Sequence, residues 1–205
     1  MARIHIVGAR HHASHRIALG PDTYGRSHLE FLISEGHVPL EFEKQYRDLV
    51  ESICHLGEAQ YSKTMLQRIH GDCHFGNILW VEGGATPGPF FLDFDDMVVG
   101  PPVQDLWLVV PGRDEFAIRQ RALLVESYEQ LKDFDRSSLR MIEFLRALRL
   151  IHFSAWIAKR WEDPIFKQFF PQFGEPRYWS EQVSTLVEQK ELIEEQMGRS
   201  ETSGY

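Results

Sequence analysis

Residues 69 to 105 hold the side chains best suited to chemistry. His70-Gly71-Asp72-Cys73-His74-Phe75-Gly76-Asn77 is followed by Phe90-Phe91-Leu92-Asp93-Phe94-Asp95-Asp96, and then by Gln104-Asp105-Leu106-Trp107. An Asp with an Asn five residues on, a hairpin-length gap and a second Asp behind an apolar strand is the pattern that phosphoryl transfer requires: a carboxylate to orient a hydroxyl, beside magnesium ligands. That reaction asks the protein mainly for positioning and charge neutralisation. Asp72 is the candidate base, accepting a hydrogen bond from the attacking hydroxyl and taking its proton late. Asn77, through its amide oxygen, and Asp93 are the candidate metal ligands, because magnesium prefers hard oxygens and keeps several waters. Asp95 is an auxiliary ligand or supports one from behind. Asp96 is expected to face away, since side chains alternate in an extended segment. His70, at the mouth of the loop, reads as a packed, hydrogen-bonded brace. His74 is open between a phosphate contact and loop structure.

Other readings of the same residues are weaker. Asp, Asn and Gly favour turns for local reasons, and either motif alone would be ordinary loop polarity. Two motifs with strand-like flanks and a hairpin between them are not. Asp93-Phe94-Asp95 also resembles the nucleophile motif of the haloacid dehalogenase phosphatases. That motif follows the first strand of a parallel sheet, whereas helices are expected after Asp96. A zinc site gathered from His70, Asp72, Cys73, His74, Cys54 and His55 would need neighbours on one loop to converge, which their directions oppose. Cys73 lacks an evident basic partner and is a poor nucleophile.

The elements that must hold these residues follow from periodicity. Residues 3–8 read as the tail of a helix ended by Gly8, and Ser27 is expected to cap a short helix through Ile33. Residues 40–61 place Phe42, Tyr46, Leu49, Ile53 and Leu56 on one face of a longer helix. Residues 65–69 form a strand that delivers His70, and 78–81 with 90–92 form a hairpin around Gly83-Gly84-Ala85-Thr86-Pro87-Gly88, so Asn77 and Asp93 should lie side by side. Helices are expected over 103–110, 114–131, 137–161 and 178–197. The third buries Leu139, Ile142, Leu145, Leu148, His152, Ala155 and Trp156, with Lys159 and Arg160 in its last turn. The fold class is α+β, mainly helical, with one small β-hairpin.

Composition sets the outer bounds. In 205 residues, 43% hydrophobic content is ample for a packed core, and the net charge of -8 argues against a nucleic-acid surface. No stretch reaches the roughly 20 apolar residues of a membrane helix, and the first residues do not make a signal peptide, so a cytoplasmic location without membrane contact is expected. Cys54 and Cys73 are expected to stay reduced. His11, His12 and His15 lack the carboxylate or cysteine company of a metal tract.

At the quoted motifs, together with Gly100-Pro101, Ile78-Leu79-Trp80 and Leu145-Arg146-Ala147-Leu148-Arg149-Leu150 leading into Ala155-Trp156, the chain resembles the aminoglycoside phosphotransferase and choline kinase branch of the protein-kinase-like superfamily. Within that branch it is similar to bacterial Ser/Thr protein kinases. The resemblance implies a protein-kinase-like C-lobe, the cofactors ATP and Mg2+, a protein substrate with a Ser or Thr hydroxyl, Asp72 as catalytic base and Asn77 with Asp93 on magnesium. It also implies that Asp105 anchors the loop by accepting backbone hydrogen bonds, which suits an acid in an apolar helix. The N-terminal lobe of such kinases, with its Gly-rich loop and lysine-bearing strand, has no counterpart in the sequence. The expectation is therefore a catalytic lobe over 1–198 with a disordered tail over 199–205, N-terminally truncated and inactive alone, with apolar surface exposed around the loop and the first helix. The alternatives are a non-catalytic C-lobe remnant used as a binding module, or a kinase of small aminoglycoside- or choline-like alcohols.

Overall fold

Helical spacing of apolar residues dominates the sequence, and the computed structural model of the protein is accordingly mainly helical; it describes residues 1–11 and 13–202. In chain order the elements are α1 (Ala2–Gly8), a π-helical run Pro21–Arg26 leading into α2 (Ser27–Ser34), α3 (Leu40–Tyr61), β1 (Gln67–Ile69), β2 (Ile78–Val81), β3 (Gly88–Phe91) and β4 (Val98–Gly100). They continue with α4 (Val103–Val109), α5 (Glu115–Glu129), α6 (Ile142–Ala158), α7 (Pro164–Phe169) and α8 (Pro176–Thr202). Contacts divide the chain into two units, one of Met1–Leu19 with Thr64–Ile142 and one of Gly20–Lys63 with Glu143–Tyr205.

The first unit carries every candidate site residue. β1 pairs antiparallel with β4, Ile69 opposite Val98, so the loops that leave β1 and enter β4 emerge at the same end. Residues 17–19 extend that pair: Val99 N–H donates to the Ile17 carbonyl at 3.0 Å and Leu19 N–H to the Val99 carbonyl at 2.7 Å. α1 lies so close to β1 that a Cβ at Gly8 would meet the Arg68 carbonyl oxygen at 2.1 Å. β2 and β3 form the expected hairpin, with Ile78 opposite Phe91 and Val81 opposite Gly88. A small core of Ala2, Leu106, Val125 and Tyr128 ties α1, α4 and α5 together.

The second unit is a helical core. Tyr46 of α3 meets Trp179 of α8 edge-on at 5.5 Å, and both are fully buried. Gly57 leaves the space that the Phe144 ring fills, since a Cβ there would lie 2.3 Å from it. α6 is buried along most of its length through Leu145, Ala147, Leu148, Ile151 and Ala155.

The structure departs from the sequence reading in several places. Ser27 caps nothing: the helical run starts at Pro21, and Arg26 fastens it to α3 through Glu51 at 2.9 Å and Glu58 at 2.6 Å. α6 starts only after a 3-10 turn, Arg136–Met141, and ends at Ala158, so Lys159 and Arg160 lie just beyond it. Arg160 still serves that end of the helix: its Nη1 donates to the Trp156 carbonyl at 3.2 Å while its guanidinium stacks on the Trp156 ring at 4.7 Å. α7 and β4 were not expected. α7 begins at a proline whose preceding Asp163 accepts from Ile165 N–H at 2.9 Å. The tail expected to be disordered from 199 is helical backbone to Thr202, and residues 203–205, like His12, lie outside the described residues.

Candidate functional site

The loop between β1 and β2 is held from below by one side chain. Asp105 on α4 is fully buried. Its Oδ1 accepts from Gly71 N–H at 2.9 Å, and its Oδ2 accepts from His70 N–H at 2.9 Å and from His5 Nε2 at 2.8 Å. A buried carboxylate is strongly unfavourable without such partners, and three donors offset its lost hydration. His5 Nδ1 lies 3.0 Å from the Tyr128 hydroxyl. Burial, and then the charge of Asp105, push the Tyr128 phenol above its ordinary value; with Nε2 giving its hydrogen to the carboxylate, Nδ1 of a neutral imidazole accepts from the hydroxyl. Gln104 adds a further tie, donating to the Gly71 carbonyl at 3.2 Å while accepting from Trp107 Nε1 at 2.9 Å.

Gly71 makes this clamp possible. Its φ of +88° is unfavourable for residues with a Cβ, and a Cβ there would stand 2.5 Å from the Asp96 carbonyl oxygen. The loop and the 93–96 turn therefore touch backbone to backbone.

Above the clamp, Asp72 and Asn77 are half-buried and joined. Asn77 Nδ2 donates to the Asp72 carbonyl at 3.0 Å and lies 3.5 Å from Asp72 Oδ2. With the amide nitrogen committed to that carbonyl, the amide plane is set and Oδ1 is turned away from it. His74 Nε2 stands 3.3 Å from the same Asp72 Oδ2. Leu92 N–H donates to the Asn77 carbonyl at 2.9 Å, which continues the hairpin by one step, with Leu92 opposite Asn77 and Asp93 the next residue along the chain.

Asp93 has φ +58°, the single non-glycine residue among those described with positive φ. A left-handed residue interrupts the strand, and Met97 N–H closes a turn onto the Phe94 carbonyl at 3.2 Å. The alternation used to place Asp95 and Asp96 on opposite sides therefore does not apply. Both are exposed, and Asp95 is fixed through its backbone carbonyl, which accepts from Arg16 at 2.7 Å. His70 is fully buried; its Nε2 donates to the Leu92 carbonyl at 2.7 Å and its ring lies 4.7 Å from Phe94. It thus links the 70–77 loop to the residue before Asp93.

The competing chemistries find no geometry. The two sheets are each two-stranded and antiparallel, with one isolated parallel bridge at Ala18 and Val99, so the parallel sheet of a dehalogenase-type phosphatase is absent among the described residues. No three His, Cys, Asp or Glu side chains among them cluster as a metal-binding group. Both cysteines are free and buried, and burial pushes each thiol up to about 12, which leaves Cys73 a poor nucleophile. Among the described residues no helix is long and apolar enough to cross a membrane.

Sequence reasoning missed His5, Tyr128 and Gln104. A lone His in a seven-residue helix carries no signal of its role, and Tyr128 is 123 residues away from it. Gln104, adjoining Asp105, was within the quoted motif. Around the loop, Phe75, Leu79, Trp80, Phe90 and Leu92 are exposed, as is Val7 on α1.

A profile of the phosphotransferase enzyme family matches residues 1–142. The chain belongs to that family. Its mainly helical fold, with a few short antiparallel strands, is the protein-kinase-like C-lobe expected of the phosphotransferase family. Stress response kinase A of Escherichia coli strain K12 is 32% identical over 196 residues, covering 95% of this chain and 58% of the relative. Stress response kinase A of Salmonella paratyphi A is 41% identical over 128 residues, 62% of this chain and 38% of the relative. A protein of Salmonella typhimurium named serine/threonine protein kinase RdoA matches to the same extent. The chain spans 58% of the length of the Escherichia coli relative. By family, it is a kinase-like phosphotransferase.

Proposed function

We propose that this chain carries the chemical machinery of an ATP-dependent kinase that phosphorylates Ser or Thr hydroxyls of a protein substrate. The observation that carries this reading is the joining of Asp72 and Asn77 on one clamped loop with Asp93 as the next neighbour along the hairpin. Asp72 orients the acceptor hydroxyl and takes its proton as the new phosphorus–oxygen bond forms and the bond to the ADP oxygen breaks. Asn77 Oδ1 and the Asp93 carboxylate are hard oxygen donors, and few protein ligands suit an ion that retains waters and shares substrate phosphates. Bound magnesium would supply charge neutralisation on those phosphates. Asp95 supports this set from the adjoining turn. His70 and Asp105 keep the loop and the 93–96 turn in register. The name of one relative, the serine/threonine protein kinase RdoA of Salmonella typhimurium, favours a protein over a small alcohol as acceptor.

The test is phosphate transfer from Mg-ATP to a Ser/Thr-containing protein, assayed with the native gene product and with the 205-residue chain. Asp72→Asn should lower turnover by about 10²- to 10⁴-fold while leaving the melting temperature near that of the parent. Transfer that favours an aminoglycoside or choline-like alcohol over protein would overturn the substrate assignment, and turnover indifferent to Asp72→Asn would overturn the mechanism.

A further inference from the structure

His74 has two separate contacts, one on each ring nitrogen. Its Nδ1 accepts from Gly76 N–H at 2.9 Å and caps the 3-10 turn Phe75–Asn77. An accepting nitrogen carries no hydrogen, so the neutral ring has its hydrogen on Nε2. That is the nitrogen 3.3 Å from Asp72 Oδ2. The ring is also seated: a Cβ on Gly76 would lie 2.7 Å from His74 Cε1 and 2.9 Å from Nδ1, so only glycine leaves room for it. The backbone amide of Gly76 thus selects the tautomer, and the tautomer places the hydrogen on the nitrogen nearest the carboxylate. At 3.3 Å the separation is slightly longer than an ordinary N–H···O bond, so a small rotation of either side chain completes it.

We infer that His74 is a positioning residue for Asp72: its Nε2–H, fixed by the Gly76 amide, holds the carboxylate in the orientation that receives the acceptor hydroxyl. The inference rests on the reading of Asp72 given above. His74 and Asn77 both approach Oδ2, at 3.3 and 3.5 Å, so two donors from its own loop face the same carboxylate oxygen. The bland alternative is that His74 only caps the turn.

Two amide substitutions separate these roles. In His74→Gln the amide NH2 falls where Nε2 stands, keeping the donor to Asp72 and losing the cap. In His74→Asn the amide oxygen falls where Nδ1 stands, keeping the cap and losing the donor. Positioning predicts a fall in kcat of up to about 100-fold in His74→Asn with KM for the protein substrate little changed, and recovery of most of that loss in His74→Gln. Gly76→Ala, which displaces the ring while leaving His74 and Asp72 chemically unaltered, should lower kcat as His74→Asn does. Equal losses in the two amide variants, or none in either, would overturn the inference. A second readout needs no turnover: the long-range proton–nitrogen NMR spectrum of the His74 ring should show hydrogen on Nε2, with that resonance shifting in Asp72→Ala. A ring protonated at Nδ1, or an Nε2–H signal unmoved in Asp72→Ala, overturns the inference. Absence of kinase turnover in the unsubstituted protein counts against the reading of Asp72 alone, and the spectrum then decides on His74.

Discussion

The two units each bury a histidine cluster with a tyrosine beside it, and the clusters behave differently. In the first unit His5 sits between Tyr128 and Asp105, and the carboxylate passes its hold on to the backbone of His70 and Gly71. In the second, His28 Nε2 is 2.9 Å from His152 Nδ1, and Tyr24 stacks on His152 at 4.5 Å. Here the hydrogen-bond partner of His28 is a second imidazole, with the Tyr24 ring 5.6 Å from it as well. Burial, with His152 and Lys159 adding to it, lowers His28 to about 3. A histidine beside a buried acid thus becomes part of an anchor for a polar loop. Two histidines facing each other share one hydrogen and make a polar seam between helices that is sensitive to acid.

Three substitutions bear on that contrast. Asp105→Ala strikes at the difference itself: it strips the acceptor from two backbone amides and from His5, and should destabilise the first unit by about 3–5 kcal/mol. Denaturant unfolding measures this, and a loss under about 1 kcal/mol would mean the loop does not depend on its anchor. The acid response of the second cluster comes next. Because the folded state holds His28 near 3 and an unfolded histidine titrates near 6.5, its contribution is intact above pH 6.5 and is lost as pH falls towards 3, at up to about 1.4 kcal/mol per pH unit. Stability measured between pH 7 and 5 should therefore fall less steeply in His28→Phe than in the parent; equal slopes would remove the distinction between the clusters. Tyr128→Phe is the mildest, removing one donor to His5 at about 0.5–1.5 kcal/mol, with the Asp105 contacts retained.

How much of this was legible depended on whether the signal was local. α3 was readable because Phe42, Tyr46, Leu49, Ile53 and Leu56 repeat along a helix long enough to show its period; of these, Tyr46 and Ile53 are fully buried, and Val50 joins them. The β2–β3 hairpin was readable from apolar runs flanking a glycine-rich turn, and Asp105 was conspicuous as an acid in an apolar helix. β4 was missed because Val98-Val99-Gly100 is too short to alternate and becomes a strand only by pairing with β1. The left-handed backbone of Asp93 gave no sign either, since Asp before Phe is unremarkable in a strand, and the interruption comes from the turn that follows. His5 and Tyr128 lie far apart in sequence, and only tertiary contact gives the pair meaning.

Gly71 sets a dimension as well as a dihedral angle. With no side chain there, the gap between the 70–77 loop and the 93–96 turn equals the closest approach of two backbones. The separation of Asp72 and Asn77 from Asp93 is in that sense gauged by a missing atom. Larger residues at position 71 would act as shims of graded thickness, prising the two acidic segments apart while leaving the chemical identity of each unchanged.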